Sequence, residues 1–502
     1  MARARFDAAA TTPENARHWA NADGLSASAA NSPEVRRVLR NRARYESANN
    51  SYCRGIVLTL ANASISTGPR LQVQTGNDAA NNRIEAAFGL WAELVRLPEK
   101  LRTMRQARAV DGETFALLRT NPQIDHEVTL DLQLIEADQV ADPSPWPWEA
   151  VAARESAHVD GIDFDGYGNP VTYSVLTEHP GSTRGGYYQL GAAPAITVPA
   201  KFLIHWFRQD RPGQARGVPD LTPALPLFAQ LRRYTLAVIA AAELAADYAG
   251  VFRTNLPPNL EGPLTPPPDG EIKEDYPAWG TVPVEPRSFM KLPEGWDVSQ
   301  LTPQQPASSY ADFTARILNE IARCLEMPFA VAAGNSSGYN YASGRLDFQV
   351  FGRAVAIERG DIERAILRRI FEAWLDEAAL LPGYLPAGLP ARNVPHAWYW
   401  PGERHVDPLK EAQAQTVRLA NRTTTYADEY AAEGQDWKTQ LTQLAREREF
   451  MLKLGLATAV GTPPPEKAAP DEKELEEEES QEEEEEEEEE ADAEEINDDD
   501  DA

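Results

Sequence analysis

The sequence predicts an α+β protein, and three observations carry that prediction. Strand-like runs concentrate between residues 111 and 206, where ETFALLRT, EVTLDLQLIEA, GNPVTYSVLT and KFLIHWF alternate or are β-branched. Long helical runs lie on either side rather than between the strands, which argues against a βαβ array. Hydrophobic residues make up 42% of the 502, ample for packed cores.

The elements follow in order. Residues 1–33 are rich in Ala, Ser, Asn and Thr, lack periodicity and read as a loosely ordered arm. Pro33 opens a helix with Ser32 as its N-cap, and the helical run continues to about residue 65 with a break near Asn49-Asn50. Residues 71–75 alternate as a strand. Residues 81–96 return to helical spacing, with Ile84, Phe88, Trp91 and Leu94 on one face. After the β region and a Gly/Pro/Arg loop at 207–219, Pro223–Phe252 is an Ala-rich helical run. There Leu236, Ile239 and Leu244 are candidate packing residues. A proline-rich excursion follows to residue 306, then a helix over Ser308–Glu326 ended by Met327-Pro328. The loop GNSSGYNYASG (334–344) precedes a helix over Arg345–Leu380. Its apolar side reads as Leu346, Val350, Ile357, Ile362, Ile366, Ile370, Phe371 and Trp374. Further helices are expected at 408–421 and 436–454.

Charge divides the chain. Its formal net charge is −30, but residues 461–502 hold 24 acidic and 2 basic side chains, leaving the first 460 residues nearly balanced. The acidity belongs to a tail expected to be disordered. The two cysteines, Cys53 and Cys324, exclude a disulfide scaffold and read as buried thiols. No apolar run is long enough to span a bilayer, and the N-terminus lacks a signal-peptide core.

Chemistry-bearing patterns are few. Gly334-Asn335-Ser336-Ser337-Gly338 fits the G-x-S-x-G nucleophile elbow, with Asp347, Asp361 or Asp376 and His396 or His405 downstream. The expected core strand before the elbow is at most the short run FAVAA, and the next helix is delayed. The seven histidines show no HExxH or HxH spacing, so no metal is expected. Asp111 and Glu113, and Asp160, Asp163 and Asp165, lack the EF-hand order and read as solvated turns. No phosphate-binding glycine loop is present, and no cofactor is expected. Arg36, Arg37, Arg40, Arg42 and Arg44 place five arginines in nine residues. They suit phosphate contacts, a solvated helix face or pairing with a neighbouring subunit.

The order of segments adds a resemblance. ARYESANNSYCRGIVLTLANASISTGPRLQ (43–72), DGETFALL (111–118), LIEADQV (134–140) and DGIDFDGYGNPVTYSVLTEHPG (160–181) resemble tailed-phage portal proteins of the lambda family. So do residues 204–246, with RPGQARGVP leading into the Ala-rich helix, and 327–348, with its GxNYxSxR-like run. The resemblance covers most of residues 35–380. It implies a portal fold with a β-containing wing, long stem helices, a small clip and a helical crown. It also implies a ring of about twelve such chains around a central channel.

The boundaries implied are a wing at 34–224, a stem helix at 225–252, a clip at 253–307 and a second stem helix at 308–332. A tunnel loop at 333–344, a long helix and wing return at 345–404 and a crown at 405–460 follow. The tunnel loop would face DNA with Asn335, Ser336, Ser337, Tyr339, Asn340, Tyr341 and Ser343. The implied partners are double-stranded DNA, the large terminase subunit, major capsid and scaffold proteins, and head-completion or adaptor proteins, with no membrane. The implied location is the unique capsid vertex of a virion, after assembly in the host cytoplasm, and no enzymatic activity belongs to the family. Two alternatives stand beside it: a serine hydrolase using Ser336, and a monomeric DNA-binding scaffold.

Overall fold

The computed structural model describes residues 13, 16–143, 157–182, 194–247, 251–254, 296–299, 307–338, 340–386, 393–402 and 408–456. The chain divides into two units, one of residues 1–405 with 432–434, the other of 406–431 with 435–502. Most of the clip range, Tyr339, His405 and the acidic tail lie outside the described residues.

In the first unit, α1 (Ala27–Ala30) leads into α2 (Pro33–Asn49) and α3 (Ser51–Ile65). The Ser32 hydroxyl accepts from Val35 N, and the Asn50 side chain accepts from Tyr52 N and Cys53 N, so both helix starts are capped as the sequence predicts. The N-terminal arm is tied down earlier than expected. Asn31 is buried and donates to Arg216 O at 3.0 Å, and Arg211 donates to Leu25 O at 3.0 Å. Strand β1 (Arg70–Val73) pairs with the much later strand His396–Tyr399 in a two-stranded antiparallel sheet. Next come α4 (Asp78–Leu94) and α5 (Leu97–Asp111). Helix α5 has no clear signature in the sequence, because Arg105 and Arg108 share its buried face with Leu97, Leu101 and Met104 and disguise the amphipathic pattern.

The β region forms two small antiparallel sheets. β2 (Glu113–Thr120) lies between β3 (Leu130–Ile135) and β8 (Leu203–Phe207). The other sheet runs in order through β4 (His158–Val159), β5 (Ile162–Phe164), β6 (Pro170–Leu176) and β7 (Ala195–Pro199).

Helix α6 (Leu225–Asp247) follows. It stops short of residue 252, because β9 (Val251–Thr254) pairs antiparallel with β10 (Trp296–Ser299). Helix α7 (Ala307–Cys324) packs on α6, where Tyr234 stacks on Tyr310 with ring centroids 5.6 Å apart and meets Phe313 edge-on. The run FAVAA is not a strand. It forms α8 (Phe329–Ala333), and α9 (Tyr341–Ile362) passes through a π-helical turn at Glu363–Leu367 into α10 (Arg368–Ala378).

The expected apolar side of this long helix is two sides. Phe351, Val355, Ile362, Ile366 and Ile370 are buried, whereas Leu346, Val350 and Ile357 are 64%, 56% and 69% exposed. Five residues advance a helix about 140° beyond a full turn, so Ile357 and Ile362 cannot share a stripe.

Two apolar cores hold this unit. One gathers Phe88, Trp91, Phe371, Trp374 and Trp398 between α4, α10 and β11 (His396–Tyr399), with the Phe88 ring meeting Phe371 and Trp374 edge-on at 5.6 and 5.5 Å. The other joins α3, α6, α7, α8 and α9 through Ile56, Phe228, Ile321, Ala332 and Phe351. Cys53 lies in it, and burial pushes its thiol up to about 12. The second unit holds α11 (Pro408–Ala420), α12 (Tyr426–Ala432, whose last residue belongs to the first unit) and α13 (Trp437–Lys453). No helix among the described residues is long and apolar enough to cross a membrane.

Candidate functional site

Two places concentrate chemistry. The first is a buried ionic junction built on the segment between β8 and α6. Gln214 organises the loop: its side-chain oxygen accepts from Asp210 N and Arg211 N, and its amide donates to Arg216 O at 2.9 Å. The chain then passes Gly112 so closely that a Cβ on Gly217 would occupy the Gly112 carbonyl, while Gly112 itself holds φ +88°. Two glycines are needed for this contact. It delivers Arg216 into the protein, where its Nε donates to both Glu113 oxygens at 3.0 and 2.9 Å and its Nη1 donates to Val140 O and Asp160 O.

Glu113 is fully buried. It also accepts from Gly217 N and His205 Nε2, each at 3.0 Å, and from Arg40. Burial pushes its carboxyl up, but Arg216, His205 and Arg40 outweigh that and hold it well below the usual carboxylate range.

His205 is sandwiched between Phe115 and Phe207, with centroids at 4.3 and 4.6 Å. Burial lowers its pKa despite the Glu113 bond. It is therefore neutral when folded and can charge once unfolded, so the unfolded chain binds more protons below about pH 6.5. Stability should fall as pH drops from that point towards the folded-state pKa. Thermal melts of His205→Gln, which keeps a donor for Glu113, should lose part of the wild-type decline between about pH 6.5 and 5. Identical slopes would remove His205 from the account.

A second ionic group adjoins it. Arg105 reaches Asp220 at 3.1 Å and Glu358 at 2.8 Å, and Arg108 reaches Glu358 at 3.0 Å while lying 4.6 Å over the Trp206 ring. These pairs tie α5, the turn before α6, and α9 together.

The arginine cluster belongs largely to this machinery. Arg36 pairs with Asp160 and Arg40 with Glu113 and Asp138, both arginines buried, and Arg44 pairs with Asp111 and Asp138. These three are spent on carboxylates of their own chain. Only Arg37 and Arg42 present exposed guanidinium groups. The DGE and DGIDFDG turns are likewise not simply solvated, since Asp111, Glu113 and Asp160 are these partners; Asp165 alone caps an exposed turn, accepting from Tyr167 N and Asn169 N.

Glu136, Asp138 and His179 bring three ligand-type side chains together. His179 Nδ1 accepts from Gly181 N, which places the ring proton on Nε2, and that atom faces Glu136 and Asp138 at 3.4 and 3.5 Å. Arg44, 2.7 Å from Asp138, already supplies the cation.

The second place is the loop between α8 and α9. Gly334 caps α8 with φ +65°, and Asn340 caps α9 by accepting from Ser343 N at 2.8 Å. The helix thus begins at Tyr341, and Ser343 lies in its first turn rather than in the loop. Asn335 accepts from both Ser337 N and Ser337 Oγ, at 2.9 and 2.7 Å. Asn335, Ser336, Ser337, Asn340 and Ser343 are all exposed and uncharged. Both flanking helices are rooted in the core through Ala332 and Phe351. The G-x-S-x-G run therefore sits between two helices, not on a strand-to-helix elbow. His396 lines a separate cleft of about 460 Å³ with Arg368, Glu372 and Asp376, and Ser336 is not part of it.

Among the proposed packing residues, Leu236 and Ile239 are exposed in the single chain, and the side chain of Leu244 lies outside the described set.

The profile of phage portal proteins, lambda family, matches residues 13–359. The chain belongs to the lambda family of phage portal proteins. Among solved structures, the portal chain is similar to a chain in the virion of a native gene transfer agent particle. The two are 13% identical with a TM-score of 0.43, over 79% of this chain and 92% of that one. It is also similar to a chain in the neck of the native particle computed with C12 symmetry, at 13% identity and a TM-score of 0.41, over 80% and 94%. Both ionic groups of the portal chain fall inside the family match. In sequence, RPGQARGVP reads as a Gly/Pro/Arg loop and as a mark of the family. Its physical content, a glycine that admits an arginine to a buried glutamate, was signalled by charged residues set among glycines.

Proposed function

We propose that the chain assembles as a ring of about twelve copies that conducts double-stranded DNA into and out of a capsid. Family membership over residues 13–359 carries this reading. The loop supports it physically: exposed neutral side chains, held at both ends by core-rooted helices, guide a polyanion without gripping it. Each charge-assisted phosphate contact would slow release. In this reading α6 and α7 are stem helices, and the excursion between them is the clip on which the large terminase docks. Capsid and scaffold proteins gather around the ring, head-completion proteins bind it later, and it occupies one capsid vertex.

Light scattering of the purified chain should read roughly 0.7 MDa, about twelve chains of about 55 kDa. Leu236→Asp should leave a folded single chain, because Leu236 is 60% exposed there, yet abolish the ring. A normal ring from that variant would remove α6 from the contact between copies. A wild-type monomer would overturn the ring.

A further inference from the structure

The second unit has helices but no interior. None of its described side chains is buried. Helices of this length gain little from propensity alone and need a covered apolar face.

Helix α13 carries such a face. Asp436 caps its start by accepting from Thr439 N at 2.8 Å. Leu441, Leu444, Arg448 and Met451 follow at steps of three and four, so they line one side, with Arg448 as its polar position. Leu444 is 56% exposed, and at the helix end Phe450 and Leu454 are 62% and 56% exposed. An apolar surface of this kind marks a place of contact.

Charge states what makes the contact. Residues 408–456 hold seven basic and seven acidic side chains, so the helices themselves favour neither sign. Helix α13 ends at Lys453, and the acidic tail starts at residue 461 with 24 acidic and 2 basic side chains. The short stretch between them tethers the start of the tail within about 30 Å of the helix, whatever its conformation. The tail does not supply the cover itself, because Leu475 and Ile496 are its only large apolar side chains. A second copy brings a tail of the same sign, and nucleic acid or an anionic membrane is repelled. A basic partner is drawn in by the tail, and an amphipathic one also covers the face.

We propose that α13 and the acidic tail together bind a basic amphipathic helix of another protein. Its apolar stripe lies on Leu441, Leu444 and Met451, and its lysines and arginines meet the tail. The proposal does not use the ring reading, since α13 and the tail lie beyond the family match at 13–359.

A dye-labelled Leu/Lys peptide of about 18 residues, or five helical turns with leucines on one side, is the probe. Titrated with the full-length chain, it should bind at least about tenfold more tightly than a scrambled peptide of the same composition and than a Leu/Glu peptide with the same apolar side. Leu444→Gln/Met451→Gln, which changes no charge, should weaken binding about tenfold. A chain ending at residue 460 should also bind about tenfold more weakly and lose most of the salt dependence. Amides of 440–454 should exchange about a hundredfold more slowly with peptide bound than without. Equal binding of the scrambled peptide, or an unchanged affinity of the double Gln variant, overturns the apolar contact and leaves only a polyanion. Equal binding of the Leu/Glu peptide, or no effect of truncation, overturns the basic partner. Slow exchange of 440–454 before any peptide is added shows the face already covered by this chain or a second copy, and overturns the proposal.

Discussion

Arg216→Ala should destabilise the first unit by about 3–5 kcal/mol, the usual effect of removing one partner from a buried ion pair. The guanidinium is almost wholly buried and makes bonds to Glu113, Val140 O and Asp160. Alanine would leave the Glu113 carboxylate with Arg40, His205 and Gly217 N but without its bidentate partner. The two backbone carbonyls would lose their donor as well. Arg216→Lys should recover only part of the loss, since an ammonium cannot bridge both carboxylate oxygens and still reach Asp160. The double variant Glu113→Gln/Arg216→Met should be more stable than the sum of its single substitutions predicts, because it removes both charges together. Chemical denaturation of these variants, the two single substitutions Glu113→Gln and Arg216→Met, and wild type measures each term. A loss below about 1 kcal/mol for Arg216→Ala would show that the junction is worth no more than a surface pair.

Asn335→Arg combined with Ser337→Arg should leave assembly intact and slow DNA passage by about tenfold or more, the penalty relaxing as salt is raised. Both side chains are exposed, and the hydrogen bonds they make serve only the loop, so folding has little to lose. In a ring of about twelve copies the pair adds about 24 positive charges around one narrow passage. Packaging assays at several salt concentrations, with Asn335→Gln/Ser337→Thr as the neutral control, read the effect. An unchanged rate would place the loop away from the DNA. Failure to fold would make it structural.

Much of the local structure was legible because it depends on neighbours in sequence. Ser32 and Asn50 cap helices through amides two or three residues away, and the alternation of 130–135 declares a strand whatever surrounds it. Helix α5 is hidden in the sequence because its buried face carries arginines, and Phe329–Ala333 is ambiguous there because a run of five apolar residues suits a short strand or a helix equally.

The sequence by itself determined family membership, the separation of a nearly neutral body from an acidic tail, and an uncharged loop between two helical runs. Only the tertiary structure decided what the charges do. Arg36, Arg40 and Arg44 looked like one basic helix face, yet Arg40 meets Glu113 from 73 residues away and Arg216 meets it from 103. A charged side chain's sign and helical position are local facts. Its desolvation depends on which distant backbone can come close, and here that was settled by the bare contact of Gly112 with Gly217.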